Sequence, residues 1–418
     1  MTLRRHPGAA LALLTALNFF NYIDRYVLPS VQPLVQKELQ RSDADMGWLT
    51  SVFFFFYMCV APFMGKLADR YPRKILIITG AVLWSGATLL TAVTKDYTSL
   101  LIRHTLVGIG EASFVTIAPA FIADLFPEHR RGRMLSVFYL AIPMGTAMGY
   151  VLGGHLGPVY GWRAPFLVAA IPGFAIAAAL AFIPEPTRGR ADVIASTPER
   201  STLIPIFGLR ILPSSRAFWA ATLGTAMMTF ALGGLSVWMP TFLSRTRGMK
   251  LNDANIVFGE ALIVAGFLAT MLGGWLGDHL LRKTRSAYYL VSAVGMAIAL
   301  PFMVVALYYQ GPLMFPAIFL ALFFLLLNTG PLNAAIVNSV GAPIRATAIA
   351  VNVFVIHILG DVPSPPLIGY ISDKTGSLPE GFIVAVIAVA ISAGILFFGS
   401  RYAPQVPQSI LDADRATA

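Results

Sequence analysis

Asn21, Asp24 and Arg25 stand inside one long apolar stretch of this chain, and Arg103, His104 and Glu111 stand inside another. On a helix the first three occupy positions i, i+3 and i+4, with Asn18 one turn earlier, so they form a polar stripe along an apolar rod. A charge in such a place costs roughly 3 kcal/mol or more unless it is paired or hydrated, so these residues point to function. Two kinds of chemistry fit them. A carboxyl group beside a guanidinium takes up or releases a proton when a conformational change makes or breaks the pair, which assigns proton coupling to Asp24 and Glu111. The planar forks of Arg25 and Arg103 suit a phosphate or carboxylate, with Asn21 and His104 completing a substrate-binding set. The competing reading is structural: both arginines are taken up by the two carboxylates, and His104 is a hydrogen-bonded packing residue.

The elements that must position these groups are membrane spans. Apolar stretches of about 20 residues or more run near 9–30, 46–66, 74–94, 98–124, 132–157 and 163–184, then near 216–243, 253–277, 286–308, 312–340, 345–371 and 380–401. Of the 418 residues, 57% are hydrophobic and 12% charged, which excludes a soluble enzyme and leaves no length for an appended catalytic domain. The net charge of +10 is spread over short loops and does not indicate a nucleic-acid partner. With the N-terminus cytoplasmic, about 20 Lys and Arg fall on cytoplasmic segments and about 8 on external loops, placing both termini inside. Arg245, Arg247 and Lys250 break that pattern, because they lie on an external loop. The first span carries too many polar residues for a cleavable signal, and the lone Cys59 is a packing residue. Since the fourth span runs opposite to the first, Arg103 comes near the depth of Asp24, and Glu111 lies about 12 Å deeper. Asp24 and Arg103 are thereby placed to pair.

The two sets of spans repeat one another. Gly65, Leu67, Asp69, Arg73 and Lys74 recur as Gly274, Leu276, Asp278, Arg282 and Lys283, each 209 positions on, and Arg130, Gly145 and Gly154 recur as Arg345, Gly360 and Gly369, each 215 on. Residues 1–184 and 216–404 are therefore expected to form six-helix bundles, joined by a polar linker at 185–215 with a short interfacial helix near Leu203–Leu212 and followed by a tail at 405–418. Gly145, Gly149 and Gly153 are spaced for close helix packing. Phe53 to Phe56 are expected to face lipid and neighbouring helices. Glu260, Asn328, Asn333, His357 and Asp361 are polar groups inside second-half spans, without an assigned role.

The run Gly65-Lys66-Leu67-Ala68-Asp69-Arg70-Tyr71-Pro72-Arg73-Lys74 resembles the signature loop between spans two and three of the major facilitator superfamily, with Pro72 where the broader signature has Gly. Asn21-Tyr22-Ile23-Asp24-Arg25-Tyr26, and Val107 to Phe114 followed by Thr116-Ile117-Ala118-Pro119, are similar to motifs of spinster-type lipid transporters. The resemblance implies an all-α fold of 12 membrane helices in two pseudo-symmetric bundles, with spans one, four, seven and ten lining a central cavity. It implies that Asp69 meets the N-terminal end of span eleven as a gate, with Arg73, and that Asp278 and Arg282 repeat the device. The function so implied is proton-coupled alternating access for an amphipathic, anionic lipid-like substrate, the protein acting as a monomer. A carrier of a small hydrophilic solute or drug, and an intramembrane lipid-modifying enzyme built on His104 and Glu111, are the alternatives. The chain has no phosphate-binding Gly-rich loop and no metal-spaced His and Cys cluster, so no cofactor is expected.

Overall fold

The computed structural model describes residues 7–126, 128–186, 215–340 and 345–404, and the expected interfacial helix and the tail fall outside them. The described chain is helical. The first half holds α1 (Pro7–Leu39), α2 (Asp43–Arg70), α3 (Arg73–Thr91), α4 (Tyr97–Leu125), α5 (Glu128–Tyr160) and α6 (Ala164–Ala181). The second holds α7 (Arg216–Arg245), α8 (Leu251–Leu281), α9 (Ala287–Tyr308), then α10 (Met314–Leu326) and α11 (Thr329–Asn338) as one interrupted span. The next span is built from α12 (Arg345–Ile356), a π turn at His357–Asp361 and α13 (Ser364–Thr375), and the last from α14 (Leu378–Gly381) and α15 (Ile383–Gly399). Among the described residues, eleven spans are long and apolar enough to cross a bilayer on length and composition alone. The twelfth is α1, whose 33 residues suffice in length but whose hydropathy is diluted by Asn18, Asn21, Asp24 and Arg25.

Helix ends follow from local chemistry. Ser42 opens α2 with a reciprocal cap, its hydroxyl accepting from the Asp45 amide while the Asp45 carboxylate accepts from the Ser42 amide. Asp96 opens α4 by accepting the Ser99 N–H. The π turn precedes Pro363: proline offers no N–H and crowds the carbonyl a turn back, and the extra residue lets Val362 N–H reach His357 O at 3.0 Å.

By packing, the chain divides into two compact units, Met1–Ser201 with Ser236–Glu260, and Thr202–Leu235 with Ala261–Ala418. In the first, α1 lies along α5 and α6, and α4 packs on α2 and α3. The glycine stripe of α5 makes this approach possible, because a Cβ on Gly145 would stand 2.4 Å from Phe19 O and one on Gly149 2.9 Å from Ile23 O. Trp84, Phe53, Phe114, Phe121 and Phe138 fill the core of this unit. In the second unit α9 is the central element, against α10, α11 and α15, around Ala269, Val291 and Leu327. Large apolar side chains such as Phe63, Ile171, Phe182, Met271 and Trp275 face outward, the surface a bilayer requires.

The ends of α7 and α8 at residues 236–260 belong with the first unit for a visible reason. Arg245 grips Asp43 with two parallel hydrogen bonds of 2.7 and 2.6 Å. Asn255 donates to Ser30 O at 3.0 Å, Tyr150 donates to Ser236 O at 2.6 Å, and the Tyr150 ring packs edge-on to Phe258.

Candidate functional site

The polar stripe of α1 turns into the first unit. Asn18, Asn21 and Asp24 are all buried, and Asn18 donates to Phe138 O on α5 at 3.0 Å. Arg25 reaches across to α4, where its Nε and Nη2 both donate to one oxygen of Glu111, Oε2, at 3.2 and 2.8 Å. Four rings surround the guanidinium: Tyr22 at 4.8 Å, Phe53 at 5.1 Å, Tyr57 at 5.1 Å and Phe54 at 5.7 Å. Each ring face attracts a cation, and together they replace much of the hydration that Arg25 forgoes. Phe53 is thus an interior residue and Phe54 packs on Arg25, while Phe55 and Phe56 are the outward pair of the run that the sequence assigned as a whole to lipid and neighbouring helices.

The site carries more negative groups than cations. Asp24 lies in the field of Glu111 beside Trp84. Glu111 Oε1, Asp24 Oδ1 and both polar atoms of the Asn21 side chain are buried and make no hydrogen bond among the described residues. Two carboxylates beside one guanidinium leave one charge uncompensated in a buried site, and a proton on either carboxyl group balances it. The family resemblance implied that spans one and four line a central cavity; in the structure Glu111 is fully buried and Asp24 is 4% exposed. Arg25, with 12% of its side chain exposed, covers them.

Arg103 does not join this group. It donates to Leu90 O and Thr94 Oγ1 at the C-terminal end of α3, where Arg163 Nε also donates to Thr94 O at 3.0 Å. The pair expected between Asp24 and Arg103 is replaced by Arg25 with Glu111, and Arg103 is taken up by Leu90 O and the Thr94 hydroxyl at the end of α3. His104 is buried with its ring 5.3 Å from that of Phe53.

At the far end of α2, the expected gate residues have well-defined surroundings. Arg73 pairs with Asp124 and donates to Ala120 O, both on α4. Pro72 precedes α3 and provides no capping side chain, so the first amides of α3 lack a local acceptor. Glu185 supplies it from beyond α6: its two oxygens accept from Arg73 N and Lys74 N at 2.8 Å each. Lys74 Nζ answers by donating to Ala181 O and Ile183 O. In the repeat, Asp278 accepts from Tyr288 at 2.8 Å, and Arg282 follows α8. The expected contact of Asp69 is with the start of span eleven, where the side chains of residues 345–347 lie outside the described set.

Sequence reasoning missed Glu185, Asp43 and the aromatic ring around Arg25. For Asp43 a signal existed, since the misplaced basic cluster at 245–250 required an acidic partner.

These features define a polytopic helical membrane protein with a sealed ion cluster in its first half and a duplicated loop. The Major Facilitator Superfamily model matches residues 14–362. The chain is 34% identical to Protein spinster homolog 3 of Danio rerio, over 89% of this chain and 78% of that protein. It is 35% identical to Sphingosine-1-phosphate transporter SPNS2 of Danio rerio, over 93% and 80%. Its backbone superposes on that of a bacterial homolog of the human lysosomal transporter spinster with a TM-score of 0.88 at 23% identity, covering 96% and 98% of the two chains. The chain belongs to the spinster group of the major facilitator superfamily, and is a transporter, not an enzyme.

Proposed function

We propose that the protein moves an amphipathic, anionic lipid of the lysophospholipid or sphingolipid type by alternating access, driven by protons, with both termini cytoplasmic. One observation carries the reading: Arg25, ringed by aromatics, is held by a single oxygen of Glu111 next to Asp24. An anionic head competing for Arg25 displaces Glu111, and the freed carboxylate, buried beside Asp24, takes a proton to avoid standing uncompensated. The rings then meet the apolar part of the same ligand. The relatives named for sphingosine-1-phosphate transport support this substrate class.

Two contacts support the alternation. Asp43 with Arg245 fastens the far end of α7 to α2, and the Arg73, Asp124 and Glu185 set fixes the end of α3 at the signature loop, where Asp69 is the proposed gate. The test is uptake of a fluorescent lysophospholipid into proteoliposomes under an imposed pH gradient. Wild type should accumulate it without a steady current or new lipid species, and Glu111→Gln and Asp24→Asn should not respond to the gradient. Undiminished gradient-driven uptake by Glu111→Gln would remove Glu111 from coupling, and accumulation only of a hydrophilic solute would overturn the substrate class.

A further inference from the structure

A second pair of ionisable groups lies inside the second unit, away from the cluster on α1 and α4. In the π turn His357–Asp361, His357 Nδ1 and Asp361 Oδ2 are 2.6 Å apart, with side chains 18% and 11% exposed. A ring nitrogen and a carboxylate oxygen at that distance require a proton between them. With the ring neutral the pair carries a charge of −1, and a second proton, on Nε2, brings it to zero. Nothing in the first-half site requires these residues, and an ionisable pair inside a membrane span is costly to keep without a use.

The surroundings are shaped to the pair. On α7, Gly233 faces Asp361, and a Cβ there would stand 2.6 Å from Oδ1, so the carboxylate occupies the space a side chain would need. Gly360 is pressed on Thr229, and Ser364 donates to Phe230 O at 2.5 Å, tying the turn to α7 on both sides of Pro363. Thr229, Phe230 and Gly233 do not titrate. On the same span the neighbouring ionisable residues are Arg345 before the pair and Tyr370, Asp373 and Lys374 after it. π turns inside α-helices occur frequently at functional sites, since the extra residue loosens the regular ladder locally.

We propose that His357 and Asp361 form a second proton-binding site, in the second half of the protein, whose loading alters the π turn between α12 and α13. Loaded, the imidazolium and carboxylate hold each other as a neutral ion pair across the turn. Unloaded, the pair carries net negative charge inside a span, and the turn relaxes to hydrate it. The inference stands apart from the substrate proposed above.

The experiment uses the full-length protein in lipid nanodiscs with its six histidines labelled with nitrogen-15 on the ring. The His357 signals, identified by their loss in His357→Gln, are followed from about pH 5 to about pH 8 and should change over that range. Their midpoint should move by several tenths of a pH unit or more in Asp361→Asn. Gly233→Ala, which removes neither titrating group, should move it too. Amide exchange across 356–364 should differ between the ends of that range in wild type and become pH-independent in Asp361→Asn. A His357 ring whose signals do not change over the range, or whose titration ignores both Asp361→Asn and Gly233→Ala, would overturn the site. Titration without any pH dependence of exchange would overturn its link to the turn.

Discussion

The two halves admit charge to their interiors in different ways. In the first, Arg25 on α1 meets Glu111 on α4, residues far apart in sequence that join two helices. In the second, His357 meets Asp361 one turn along the same span. A guanidinium keeps its charge at any physiological pH, so in the first half only a carboxyl group can change state, and a change there bears on how α1 holds α4. An imidazole changes charge itself, so in the second half both partners can act, and the effect falls on the geometry of one turn. The same duplicated fold thus yields a tie between helices in one copy and a local switch in the other.

The largest effect should come from breaking the first tie. Glu111→Gln removes the hydrogen-bonded carboxylate partner of Arg25, and thermal or denaturant unfolding in detergent should show a loss of about 3 kcal/mol together with loss of gradient-driven uptake. Adding Arg25→Met should recover most of the stability and none of the transport. Recovery of both would make the pair purely structural.

Packing offers a sharper version of the same comparison. Gly145→Ala drives a Cβ to 2.4 Å from the backbone oxygen of Phe19, while at the repeated position the Cβ of Gly360→Ala comes only to 2.9 Å from the Thr229 side chain and 3.1 Å from Ala226 O. Unfolding measurements should give a loss of about 1 to 3 kcal/mol for the first and a smaller loss for the second. Equal losses would mean that the two interiors are equally rigid.

Asp43→Asn removes one charge of a pair that is only partly buried. Probe distances between labels at Gln40 and Met249 should shift toward longer separations by a population change worth about 1 kcal/mol. An unchanged distribution would deny the pair a latching role. The smallest effect belongs to Asp96, whose carboxyl the Ser99 amide holds below the ordinary value of 3.8. A depressed carboxyl stabilises the fold above its unfolded pKa and loses that contribution as pH falls through the folded one. Asp96→Asn should therefore lower Tm slightly at neutral pH, with the gap to wild type closing below pH 3.8.

Much of this was legible in one dimension. Eleven spans follow from hydropathy and the twelfth, α1, from its length and its polar stripe at helical spacing, while the duplication follows from a constant offset between like residues. The glycine stripe of α5 was readable from its spacing, and it does seat α1. Partner choice was not readable. Arg103 and Arg25 are equally plausible mates for a carboxylate on paper, yet one finds Leu90 O and the Thr94 hydroxyl at the end of α3 and the other an aromatic enclosure from α1 and α2.

Sequence alone determined that the chain is a duplicated membrane protein with carboxylates and arginines inside its first and fourth spans, since the bilayer penalises every stray charge and so makes the survivors conspicuous. The tertiary structure alone decided that Glu111 takes Arg25, that Glu185 caps α3, that Asp43 takes Arg245 and that Gly233 leaves space for Asp361. Those outcomes depend on which helix faces come within about 3 Å of each other, a property of packing that hydropathy and spacing do not carry.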